Sequence, residues 1–167
     1  ALWCHRDEPR DCLFLNASGL AFDKAPQLSG STFLRFVSLE QEPARGERPV
    51  SEADFLTART LAQALAARGL FVSRVEVDGA RDAYLALDGG SELKLSLDDD
   101  PARILENLLT ILESEEFEHL EPGNFRYIDL RFGNRVYVND EPIPDPNATT
   151  ATATATSTAT SSAVAGE

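Results

Sequence analysis

The chain has 167 residues, enough for one ordinary domain, with 15 Lys and Arg against 28 Asp and Glu and a formal net charge of −13. That charge provides no electrostatic footprint for nucleic acid, and an anionic membrane surface repels it. Hydrophobic residues at 43% and charged residues at 26% are a globular composition, while two His, two Cys and no Met argue against a multi-histidine metal centre and, more broadly, against an enzyme.

In chain order, Trp3-Cys4 and Cys12-Leu13-Phe14-Leu15 read as two short strands flanking a charged loop. Asn16-Ala17-Ser18-Gly19 is turn chemistry, and Leu20-Ala21-Phe22 resumes an extended run. Thr32 to Val37 is strand-like, and residues 41–50, with Pro43, Gly46 and Pro49, form a loop. Ser51 then caps a helix, with Asp54 in the capping-box position. Phe55, Ala58, Leu61, Ala62 and Leu65 recur at helical spacing, and Gly69 stops the helix.

Leu70 to Val77 is again β-like, Val75 and Val77 on one face and Arg74 and Glu76 on the other. Tyr84-Leu85 and Leu87, Asp88-Gly89-Gly90, then Leu93, Leu95 and Leu97 spell a hairpin. A second helix opens with Asp100 as cap and Pro101 at its first position, burying Ile104, Leu105, Leu108, Ile111 and Leu112. After an acidic connector, Tyr127 to Phe132, a Gly133-Asn134 turn and Arg135 to Val138 make the last hairpin. The expected fold is α+β, a largely antiparallel sheet packed against two helices, ending in a C-terminal hairpin.

Residues 1–140 are read as this domain and 141–167 as a disordered tail, first Pro-rich and then alternating Ala and Thr, with no bulk to offset the entropy of ordering. No apolar run approaches the ~18 residues that span a bilayer. The chain opens on Ala1 without a signal-like segment and reads as a fragment, whose missing N-terminus could carry a membrane anchor.

Cys4 and Cys12 can face each other in a hairpin and bridge in an oxidising compartment; two free thiols, or half of a metal site, are the other readings. Beside the single nearby His5 they fall short of four zinc ligands. His5 and His119, far apart and among charges, read as surface residues. The acids Asp98, Asp99, Asp100, Glu106, Glu113, Glu115, Glu116, Glu118 and Glu121 face one base, Arg103; without an EF-hand glycine they read as a helix-N-terminal and solvated acidic region. No phosphate-loop, dinucleotide or nucleophile-elbow motif occurs, and no cofactor is expected.

The final hairpin carries the most information. A terminal strand leaves a row of unpaired N–H and C=O groups, and Val136-Tyr137-Val138 is poor blunting, so a partner's strand can add there. Tyr-Ile-Asp-Leu-Arg-Phe, a Gly/Asn turn and Arg-Val-Tyr-Val resembles the C-terminal signature of the bacterial cell-division FtsQ/DivIB family. Ala1-Leu2-Trp3, the run from Cys12 to Phe22, and Ala25-Pro26-Gln27-Leu28-Ser29-Gly30 are similar to earlier elements of that family's β domain, in the same order.

The resemblance implies a non-enzymatic, membrane-anchored scaffold whose β domain lies on the extracytoplasmic face of the cytoplasmic membrane, at the division septum. It implies that the domain binds FtsB of the FtsB–FtsL pair by strand addition and helps regulate septal peptidoglycan synthesis. The implied partner-binding residues are Arg131, Phe132 and Asn134, with Arg135, Val136, Tyr137 and Val138 supplying the edge; Arg131 is expected to meet an acidic group on the partner. Where the family often ends this strand with Trp, Val138-Asn139 stands here. The alternatives are a secreted ligand-binding domain, which needs a concave apolar pocket, and a small hydrolase using acids of the 98–121 region.

Overall fold

A computed structural model describes residues 1–143 except 9, 29–31, 116–118, 122, 134 and 142. The expected disordered tail lies outside the described residues, apart from Glu141 and Ile143. Nine strands form one sheet: β1 (Leu2–Cys4), β2 (Cys12–Leu15), β3 (Ala21–Lys24), β4 (Arg35–Ser38), β5 (Val72–Val77), β6 (Asp82–Leu87), β7 (Glu92–Ser96), β8 (Tyr127–Phe132) and β9 (Arg135–Asn139). Helices α1 (Glu52–Ala66) and α2 (Pro101–Leu112) interrupt them. The spatial order is β3-β2-β1-β4-β5-β6-β7-β8-β9.

The sheet is mostly antiparallel, with parallel pairs β1/β4, β4/β5 and β7/β8. Two of these pairs are the helical crossovers: α1 joins β4 to β5, and α2 joins β7 to β8. Both crossovers step the same way across the sheet from strands of the same direction. Their common handedness therefore puts both helices on one face, where they touch each other. Among the described residues, the other face of β5 to β9 carries no helix.

Local chemistry explains the helices. The Ser51 hydroxyl oxygen accepts from the Asp54 N–H at 3.1 Å and donates to the Asp54 carboxylate at 2.7 Å. The carboxylate of an Asp, one methylene shorter than Glu, meets the Ser51 hydroxyl and does not complete the reciprocal bond to its backbone. Gly69 takes φ +83°, and the Leu70 N–H returns to the Leu65 carbonyl, closing α1. Asp100 Oδ1 accepts from the N–H groups of Ala102 and Arg103 at 2.8 and 3.2 Å, and Pro101 fills the first turn of α2.

The main core lies between helices and sheet, with Trp3, Phe36, Phe55, Val75, Leu85, Leu93, Leu108 and Ile128 fully buried. Leu2 and Cys4 alternate with Trp3 and so face the other way, where with Cys12, Ala25 and Val37 they form a second, smaller core. The strand expected over Thr32 to Val37 begins only at Arg35, where pairing to β1 and β5 starts. Among the described residues, no helix is long and apolar enough to cross a membrane.

Candidate partner-binding edge

Two strands end the sheet, and they are finished differently. At β3 the Ala21 N–H donates to the Glu47 carbonyl at 2.9 Å, and the Gly46 N–H donates back to the Ala21 carbonyl at 2.8 Å. The loop after β4 therefore occupies the start of this edge, at Ala21, and beyond it Asp23 and Lys24 add ion pairs to Arg45 (2.6 Å) and Asp11 (3.0 Å). A four-residue strand, covered and charged, is a blunted edge.

At β9 no such cover is present among the described residues. Tyr127 pairs with Asn139, Ile128 with Val138 and Asp129 with Tyr137. The Arg126 carbonyl accepts from the Glu92 N–H of β7, and the Asn139 carbonyl accepts from the Arg126 N–H, both at 2.9 Å. Backbone groups alternate in direction along a strand, so Tyr127 and Asp129 address β9, while Tyr137 and Asn139 address β8. The N–H and C=O groups of Val136 and Val138 consequently point off the sheet. Beyond Asn139 the chain departs from this edge, and the Ile143 side chain lies against Gly90 in the β6–β7 turn.

A bulge shapes the site. Asp129 faces Tyr137 and Phe132 faces Arg135, so three steps on β8 match two on β9. The extra residue turns Phe132 onto the helix-free face, where it meets Tyr137 edge to face with ring centroids 5.3 Å apart. The two rings are 54% and 50% exposed, an aromatic step beside the open edge. Val136 and Val138 turn to the other side and pack partly against the main core.

Arg131 is half-buried behind this step and engaged within the chain. Its Nε and Nη2 donate to Asp129 at 2.9 and 2.7 Å, and its Nη1 donates to Asp82 at 2.7 Å. Its guanidinium carbon stands 5.6 Å from the ring centroids of both Tyr84 and Phe132. Hydrogen bonds donated to Asp129 dominate over burial and keep the guanidinium protonated far above any working pH. Within the chain, Arg131 is thus held by the carboxylates of Asp129 and Asp82, the latter 49 residues away in sequence. Arg135, the other arginine of the hairpin, is exposed on the helix-free face. Asn134 lies outside the described residues.

The remaining candidates are placed elsewhere. Cys4 and Cys12 sit directly opposite each other on β1 and β2 and form a disulfide, with Cα atoms 4.0 Å apart. His5 contacts Glu42 at 2.8 Å and His119 lies 3.8 Å from Asp140. In the acidic region, Asp98 pairs with Arg81, Asp99 with Arg103, and Asp100 caps α2. Among the described residues no group of three or more His, Cys, Asp or Glu could hold a metal ion. An apolar groove lined by Phe33, Leu34, Arg59, Ala62 and Phe71 lies beside α1, remote from β9. Arg81, which takes φ +61° and ties Asp54 of α1 to Asp98, has nothing local in the sequence to distinguish it.

No protein-family model matches the chain, and no curated protein matches it.

Proposed function

We propose that this chain is the extracytoplasmic β domain of a division-septum scaffold of the FtsQ/DivIB type. In this reading it is not an enzyme; it binds an FtsB-like segment of an FtsB/FtsL-type partner by strand addition along β9 and so helps regulate septal peptidoglycan synthesis. Membrane anchoring belongs to a segment outside this chain, and the domain works on the periplasmic face at the septum. One observation carries the proposal: of the two ends of the sheet, β3 is covered by its own loop, whereas β9 presents the backbone of Val136 and Val138 beside an exposed aromatic pair. The Tyr127-to-Val138 hairpin resembles the partner-binding end of that family. The Cys4–Cys12 bridge suits an oxidising compartment.

The test is a binding titration against an FtsB-like periplasmic segment with wild type, Val136→Pro and Phe132→Ala. Val136→Pro deletes an outward donor and leaves the β8–β9 ladder untouched, so it should keep the fold and weaken binding by about tenfold or more. Phe132→Ala should weaken it about fivefold or more, as expected for an aromatic anchor. A folded Val136→Pro that binds like wild type would contradict the proposal. Tyr137→Pro is the wrong variant, because it breaks the domain's own hairpin.

A further inference from the structure

The strand-addition reading leaves the chemistry of the incoming segment open, and the charges on the helix-free face narrow it. Strands β5 to β9 carry four basic residues: Arg74, Lys94, Arg131 and Arg135. Arg74 is paired with Glu76 at 3.0 Å and Lys94 stands 3.7 Å from Glu92. Arg131 is held by Asp129 and Asp82. Arg135 is exposed and, among the described residues, has no carboxylate partner. In a chain of net charge −13, where the other basic residues of these strands are paired, a cation with no carboxylate partner among the described residues, at the rim of an open edge, is complementary to an acid.

Geometry fixes where that acid falls. Arg135 and Tyr137 are two residues apart on the outermost strand and point to the same face. A strand added beside β9 places its own same-face residues about 5 Å away, also two apart. Antiparallel addition, the more stable pairing per residue, reverses their order. Resting on the strand-addition reading, we propose that β9 selects an extended segment with the pattern apolar-x-acidic, the apolar or aromatic residue against Tyr137 and Phe132 and the Asp or Glu opposite Arg135. Arg135 is then the specificity residue of the hairpin, and Arg131 is a positioning residue that holds the Phe132 side of the aromatic step.

The probes are two synthetic peptides with the same alternating sequence, Phe-x-Glu in one and Phe-x-Lys in the other. They are titrated against wild type, Arg135→Glu and Val136→Pro. Opposite charges directly across strands attract and like charges repel, so wild type should prefer the Glu peptide by about three- to thirtyfold. Arg135→Glu should reverse the order, and added salt should shrink the difference. If wild type binds both peptides equally and Val136→Pro weakens both, strand addition stands and the acidic specificity is overturned. If neither peptide binds, or if binding ignores Val136→Pro, both fall.

Discussion

Asp129 and Arg131, two residues apart on β8 and so on one face of the strand, meet through two side-chain hydrogen bonds of 2.9 and 2.7 Å. Burial alone would raise the Asp129 carboxyl; hydrogen bonds from the Arg131 side chain and backbone, with the charges of Arg131 and Lys94, reverse this and hold it below its ordinary range. A carboxyl lowered in the folded state stabilises the fold above its unfolded value, and the contribution is lost as pH falls through the folded value. Unfolding midpoints should therefore decline as the pH drops below about 4, and Asp129→Asn should show a shallower decline. Equal slopes in the two proteins would remove the pair from the account.

Arg131 also determines which variants can be interpreted. Arg131→Glu sets a third carboxylate beside Asp129 and Asp82, and should cost about 3 kcal/mol or more of stability. Arg131→Lys keeps the charge without the fork that spans both acids, and should cost about 1 to 2 kcal/mol. Urea denaturation followed by the emission of Trp3, the single tryptophan and fully buried, reads both values. A stable Arg131→Glu would mean that the cluster does not hold the hairpin.

The disulfide should be measurable as stability. Cys4 and Cys12 close a loop of sequence separation 8, and in the chain-entropy account such a bridge contributes about 2 to 3 kcal/mol. The double substitution to Ala should lower the urea midpoint accordingly, and the native protein should show a two-proton mass deficit before reduction. Identical midpoints with and without reductant would contradict a structural role for the bridge.

Gly19 tests how tightly the β2–β3 turn is seated on α1. Its φ is +80°, and a Cβ there would come within 2.7 Å of the Phe55 ring. Gly19→Ala should cost about 2 kcal/mol or more, since the ring belongs to the main core and the backbone is one that L side chains rarely adopt. A neutral Gly19→Ala would mean that Phe55 has room to move.

Much of this fold is legible in the sequence because its signals are local. Ser51, Gly69, Asp100 and Pro101 punctuate the helices where their chemistry requires, and alternation at Leu93 and Leu95 against Glu92 and Lys94 gives the strand its faces. The parallel pairings are not legible, because β4 finds β1 and β5 across long separations that no spacing encodes. At the edge, the sequence points to the hairpin but not to the direction of its backbone groups. That direction depends on register, and it places Val136 and Val138 outward and Tyr137 inward. The partners of Arg131 within the chain are not legible for a similar reason: Asp82 arrives from β6, and the bulge that aims Phe132 has no sequence signature.

The most direct measurement is amide hydrogen exchange, residue by residue, with and without a saturating FtsB-like segment. Strand addition at β9 engages the outward donors of that strand, so the Val136 and Val138 amides should exchange much more slowly in the complex. The amide of Ala21 on β3, already bonded to the Glu47 carbonyl, should be unchanged. Binding without protection of Val136 and Val138, or with protection at β3 instead, would contradict the assignment of β9 as the partner-binding edge.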